Sequence, residues 1–250
     1  MKRSCSRILT MTGRNVKEIL RDPLSLVFTV ALPLVMEILF YLIFHDLTSQ
    51  FEMRYLAPGI VVFGQSFLAL FTGLLISLDR ATSFLTRLFV SKARPYEFIL
   101  SYALSVLPIA LFQSILFFDV GGIFDPSLLG VSMLAAILLS LFTSLFFIAA
   151  GILFGSLCSE KAIGGVCSIV IAGQSVLSGM WFPLEGMNAT VLTVMKVLPF
   201  RNAFLLVQNA LCGIENAFDD FLMPLLVVAA YTLALFTVAV IVFKRRMTAK

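Results

Sequence analysis

Glu37, within LPLVMEILFYLIF, is the only acid well inside an apolar stretch. A carboxyl group there is costly, so it marks an ion or substrate path by default. It can equally be a protonated Glu hydrogen-bonded to a neighbouring helix. The other large polar groups in apolar stretches are Gln65 and Gln174, the latter followed by Ser175 and Ser178. Gly164, Gly165, Gly173 and Gly179 surround them, and small residues with hydroxyls also serve close helix packing. Nucleophilic catalysis is poorly supplied. A serine hydrolase needs a base within reach, and His45 is the sole histidine. Cys5, Cys158, Cys167 and Cys212 lack metal-ligand spacing. No G-x-x-x-x-G-K-[ST] phosphate loop occurs.

These residues must be positioned in lipid. The chain is 60% hydrophobic and 13% charged, with mean hydropathy +1.03. Soluble domains carry about 25% charged residues. Six stretches are long enough to cross a bilayer as helices: Leu24–Phe44, Pro58–Leu78, Phe98–Phe118, Val131–Leu153, Ala162–Phe182 and Phe221–Phe243. Alternating ten-residue segments of a barrel are absent. The polar, basic first 22 residues predict a retained first span rather than a cleaved leader. The sequence predicts an all-α integral membrane protein forming one domain, 1–250.

Lysine and arginine fix the orientation. With both termini inside, fifteen of the eighteen lie inside, and only Arg54, Lys196 and Arg201 lie outside. The pI near 9 therefore reads as topology, not as a nucleic-acid patch. Only Cys212 falls outside, which leaves no intramolecular disulfide. The expected location is a plasma or inner membrane. Residues 183–220 are too apolar for a solvated loop, and Pro199 divides them. They predict two short helices at the outer leaflet. Trp181 and Phe182 fit an aromatic belt at the fifth-span exit, with Pro183 ending the helix.

Two amphipathic stretches lie on the inner side. In 1–22, Ile8, Met11, Val16, Ile19 and Leu20 recur at helical spacing, and Arg7, Arg14 and Arg21 recur every seven residues. This predicts an interfacial helix with its cations near anionic lipid. In 79–97, Phe84, Leu85, Leu88 and Phe89 make one apolar stripe, with Arg80, Arg87, Lys92 and Arg94 around it. Thr82 or Ser83 would cap this helix, Asp79 would favour its N-terminal dipole, and Pro95 would end it. Such a helix can rest on lipid or dock in a partner's groove.

The chain resembles the type-2 permease family of ATP-binding-cassette exporters, also called type V exporters. RNVKEILRDPLSLVFTVALPL at 14–34 is similar to the family's connecting helix and first span, and YLAPGIVVFGQSF at 55–67 to its second-span start. DRATSFLTRLFVSKARPYEFIL at 79–100 resembles its coupling helix, LSGMWFPLEGM at 177–187 its fifth-span exit, and VLPFRNAF at 197–204 its outer helices. The resemblance implies a dimer of six-span halves, each half engaging a cytoplasmic ATPase through the coupling helix. Asp79, Arg80, Phe84, Leu85, Arg87, Leu88, Phe89, Lys92 and Arg94 would form that contact. The resemblance also places the second and fifth spans near the dimer cavity, which makes Gln65, Gln174, Ser175 and Ser178 candidates for the path. Glu37, on the first span, is a candidate only as an intramembrane carboxylate, since the family pattern does not require an acid there. With no phosphate loop, and only Lys244–Lys250 after the last span, this chain would bind no cofactor. ATP and Mg would belong to the partner. Drugs, lipids, glycolipids and polysaccharides are the substrates the family implies. The alternative is a channel or ion-coupled carrier without an ATPase, supported by Glu37. A further alternative is an assembly or anchoring protein.

Overall fold

The computed structural model describes residues 2–82, 94–182, 184, 186–214 and 216–248. Among these the regular elements are all helical. Helix α1 (Lys2–Leu20) precedes α2 (Pro23–Phe44), α3 (Met53–Ala81), α4 (Pro95–Phe124), α5 (Val131–Leu157) and α6 (Glu160–Leu177). Two shorter helices come next, α7 (Ala189–Val197) and α8 (Pro199–Cys212), then a π-helical turn (Ala217–Leu222) that leads into α9 (Met223–Thr248). Six helices, α2 to α6 and α9, are long and apolar enough to cross a membrane. In lipid only internally bonded backbone is tolerated, which is why the apolar runs become helices. Ile19 of α1 and Phe243 near the end of α9 pack into one cluster, so α1 and the end of α9 lie at the same end of the bundle.

Helix α3 is the centre: 83% of its apolar window is buried, against 17% for α2. Backbone contact with α5 makes this possible. A Cβ on Gly151 would lie 2.4 Å from the Ala69 carbonyl oxygen, and one on Gly155 would lie 2.7 Å from that of Gly73. The glycine pair, four residues apart, therefore lets two helices touch backbone to backbone. The opposite flank of α3 meets α6, whose buried residues Ile163, Cys167, Val170 and Gln174 recur along one face.

Helix boundaries depart from the hydropathy reading at two informative places. Helix α3 begins at Met53, so Pro58 lies inside it. Proline has no N–H to offer the carbonyl of residue 54, and the Cys212 thiol donates to that carbonyl instead, at 3.3 Å. The fifth span ends at Leu177 rather than Phe182. Gly179 adopts φ +77°, a left-handed turn that favours glycine. The chain folds back there, and Trp181 Nε1 donates to Ser175 Oγ at 2.9 Å. The Trp181 ring packs edge-on against Phe40 of α2 at 4.7 Å. The predicted belt tryptophan is thus part of an intramolecular aromatic cluster, while Phe182 stays exposed. The segment split at Pro199 forms α7 and α8, bent by 76°.

Gly151→Ala should lower the thermal unfolding midpoint of the detergent-solubilised protein, because overpacking costs about 1–3 kcal/mol. Gly165→Ala, where an added methyl meets nothing within 4 Å, should leave the midpoint unchanged or higher. Equal midpoints for the two variants would remove the α3–α5 backbone contact from the account.

Candidate functional site

The two acids that end segment 79–97, Asp79 and Glu97, both converge on α1. Asp79 lies in the last turns of α3 and is 1% exposed. Arg14 of α1 grips it with both guanidinium arms, Nη1 to Oδ2 at 2.6 Å and Nη2 to Oδ1 at 2.5 Å. Tyr102 of α4 donates its hydroxyl to Oδ2 at 2.5 Å. Paired oxygens facing a planar guanidinium make the stronger, geometrically specific form of ion pair. Arg14 also bonds Glu18, one turn on. Burial pulls against the charge on Arg14, but the hydrogen bond and charge of Asp79 outweigh it, holding the guanidinium above its ordinary range. Partial burial and the Asp79 charge together push the Glu18 carboxyl upward.

Arg80, the next residue, points the other way. It donates to the carbonyls of Gly155 at 2.9 Å and Cys158 at 2.8 Å. These oxygens belong to the end of α5, where helical carbonyls lack internal donors. Asp79 and Arg80 therefore lock the end of α3 to α1 and α4 on one side and to α5 on the other.

The far end of the segment is tied to the same helix. Glu97, fully buried in the first turn of α4, accepts from the Arg94 backbone N–H at 3.0 Å. It also accepts from the Ser4 hydroxyl, and Arg7 approaches it at 3.2 Å. Ile19 and Met11 of α1 pack into a cluster with Phe98, Tyr102 and Ile76. Helix α1 thus bridges both ends of the charged segment.

Several expectations change here. Asp79 sits near the C-terminal end of α3, not at the start of a separate helix. Thr82 is the C-cap of α3, its hydroxyl donating to the Leu78 carbonyl at 3.1 Å. Two of the three heptad arginines, Arg7 and Arg14, face buried acids rather than lipid headgroups; Arg21 is exposed. Phe84, Leu85, Arg87, Leu88, Phe89 and Lys92 lie outside the described residues. Sequence reasoning missed Arg14, Tyr102 and Glu97 as functional groups. The available signal was the seven-residue spacing of Arg7 and Arg14 beside acids at both ends of one connection.

The polar residues inside the spans occupy three separate places. Gln65 is fully buried, donating to the Ser140 carbonyl at 2.7 Å and accepting from Thr143 Oγ1 at 2.8 Å, so it joins α3 to α5. Ser175 receives Trp181, and Ser178 accepts from the Met180 N–H at 3.3 Å. The buried amide of Gln174 has no hydrogen-bond partner among the described residues. Neither do the carboxyl oxygens of Glu37, which lies on α2 against the position of Gly121 of α4.

A six-span helical bundle with a charged, helix-clamped connection defines a multi-pass membrane protein. The family model described as ABC-2 type transporter matches residues 6–212. The chain belongs to that family and is a membrane transport permease. Comparison with curated proteins gave no match.

Breaking one side of a buried ion pair costs about 3–5 kcal/mol, because the other charge is left behind. Arg14 is one-third exposed, so Arg14→Met should fall at or below the lower bound of that range, measured as chemical unfolding in detergent. Adding Asp79→Asn to Arg14→Met should recover part of the loss. Additive losses in the double variant would mean the pair contributes nothing specific.

Proposed function

We propose that the chain is the permease subunit of an ATP-binding-cassette exporter, working as a homodimer with ATP hydrolysed by a separate subunit. The face bearing the termini is cytoplasmic on this reading, in a plasma or inner membrane. The lysine and arginine distribution supports that side. The observation carrying the reading is the double anchorage of segment 79–97: Asp79 and Glu97, at its two ends, are both bonded to α1. An ATPase pressing on the segment would move α1, α3 and α4 together instead of flexing a loose connection.

The apolar stripe Phe84, Leu85, Leu88 and Phe89 would seat in a groove of the ATPase, with Arg87, Lys92 and Arg94 at its rim. Asp79 and Arg80 act from inside the bundle, by fixing where the stripe emerges. ATP and Mg would be held by the partner. The substrate would be hydrophobic or amphipathic: a drug, a lipid, or a glycolipid or polysaccharide chain. Gln174, a buried amide without a hydrogen-bond partner among the described residues, beside Ser175 and Ser178, would lie on its path together with Gln65.

Phe84→Asp combined with Leu88→Asp should weaken capture of the ATPase subunit roughly tenfold or more, since interface energy concentrates in a few apolar anchors. Undiminished binding with coupled ATPase activity would exclude this segment as the contact.

One observation favours a second reading, an ion-coupled carrier: the Glu37 carboxyl is buried without a hydrogen-bond partner among the described residues. Under the ATPase-driven reading, Glu37→Gln leaves transport in reconstituted vesicles intact. Loss of transport in Glu37→Gln, with normal assembly and no ATPase requirement, would favour the carrier.

A further inference from the structure

Cations are scarce at the end of the bundle opposite the termini. Arg54 and Lys196 are exposed there, whereas Arg201, in the first turn of α8, is half-buried. Its guanidinium lines a cavity of about 580 Å³ between the α2–α3 connection, the Gly179 turn and α8. Thr48, Ser49, Gln50, Tyr55 and Gln208 supply hydroxyls and amides to the same walls, and Met180 and Phe204 supply apolar surface.

Two features mark this as a built site rather than a stray surface arginine. Among the described residues, no carboxylate lies within ion-pair distance of Arg201, and no hydrogen bond engages its guanidinium. A half-buried charge without a partner is unfavourable unless something else neutralises it. The second feature is how it is held. The backbone of Gly179, at φ +77°, passes so close that a Cβ there would meet Arg201 Nη1 at 3.0 Å. A bare glycine turn supports the guanidinium where an acid would ordinarily do so. The polar side chains that share the cavity with it donate and accept but carry no charge.

We propose that this cavity binds a phosphate group. Guanidinium is the side chain best matched to a tetrahedral oxyanion, which it can engage through two parallel bonds. The hydroxyls and amides suit the ester oxygens and neighbouring hydroxyls of a headgroup. Cavities that take small ligands span roughly 300–1,000 Å³, so the volume admits a headgroup as well as the phosphate, and Met180 and Phe204 suit the first carbons of an attached apolar chain. The phosphate could be carried by a membrane phospholipid or by a free phosphate species in solution. The site does not depend on the chain being an exporter.

The test uses the purified full-length protein in a maltoside detergent, titrated calorimetrically with dihexanoyl phosphatidic acid, with inorganic phosphate, and with dihexanoyl glycerol as the uncharged control. Phosphatidic acid should bind and the glycerol should not. Arg201→Gln should weaken phosphate binding about tenfold or more, the scale of a lost charged hydrogen bond, and Arg201→Lys should fall between. Phosphatidic acid binding far more tightly than inorganic phosphate assigns the lipid source; equal affinities assign the free species. A readout on the unaltered chain covers misfolding of the variants. Phenylglyoxal labelling of Arg201, detected by mass spectrometry, should slow at saturating phosphatidic acid while labelling of Arg54 does not. Absence of binding, unchanged binding in a folded Arg201→Gln protein, or unprotected Arg201 at saturation would each overturn the proposal. None of these results would bear on ATPase capture.

Discussion

The Asp79 carboxylate is buried at the end of the most buried helix, and the organisation around the termini depends on that one charge. A charge taken out of water must be matched closely or it destabilises the fold. Arg14 and Tyr102 supply the match, which fixes α1 and α4 relative to α3. Arg80 then fixes α5 through its last carbonyls. Four helices are thereby set in register by two adjacent residues, just where the chain leaves the bundle. Glu97 repeats the arrangement where the chain returns. The charge-rich connection that joins α3 to α4 is therefore held at two rigid points, as the proposed push from an ATPase requires.

Behind this end, α3 and α5 act as one unit. Backbone contact at Gly151 and Gly155 leaves no room for sliding side chains, and Gln65 ties the same pair of helices through Ser140 and Thr143. Gln113 of α4 reaches across to the Thr29 carbonyl of α2 at 2.9 Å. The amide nitrogens of Gln65 and Gln113 find acceptors within the chain, although the Gln113 Oε1 is buried without a hydrogen-bond partner among the described residues. Gln174 and Glu37 are different, since both are buried without hydrogen-bond partners among the described residues.

Much of the architecture was legible in the sequence because lipid imposes a simple rule. Long apolar runs must be helices, and Pro199 divides two short ones. Boundaries were less legible where a local feature overrode hydropathy. Pro58 looked like a start, yet a thiol from α8 accommodates it inside α3. Trp181 looked like a belt residue, yet the glycine turn two residues earlier sends it back onto Phe40. The direction of Arg7 and Arg14 was illegible for a physical reason. An amphipathic helix beside a membrane can present the same cations to headgroups or to buried acids, and only the packing partner decides. Tyr102 carried no signal at all, because a tyrosine in an apolar run looks like any other aromatic.

The central claim is that α1 and the two ends of segment 79–97 form one rigid unit. The Thr12 hydroxyl lies 3.4 Å from the Ser101 carbonyl, where α1 crosses α4. A disulfide between Thr12→Cys and Ser101→Cys, in a chain otherwise free of cysteine, would fasten the two helices at that crossing. The account predicts that the oxidised permease, in complex with the proposed ATPase subunit, keeps the ATPase activity of the reduced form. Activity lost on oxidation and regained on reduction would show that α1 must move over α4, and would contradict it.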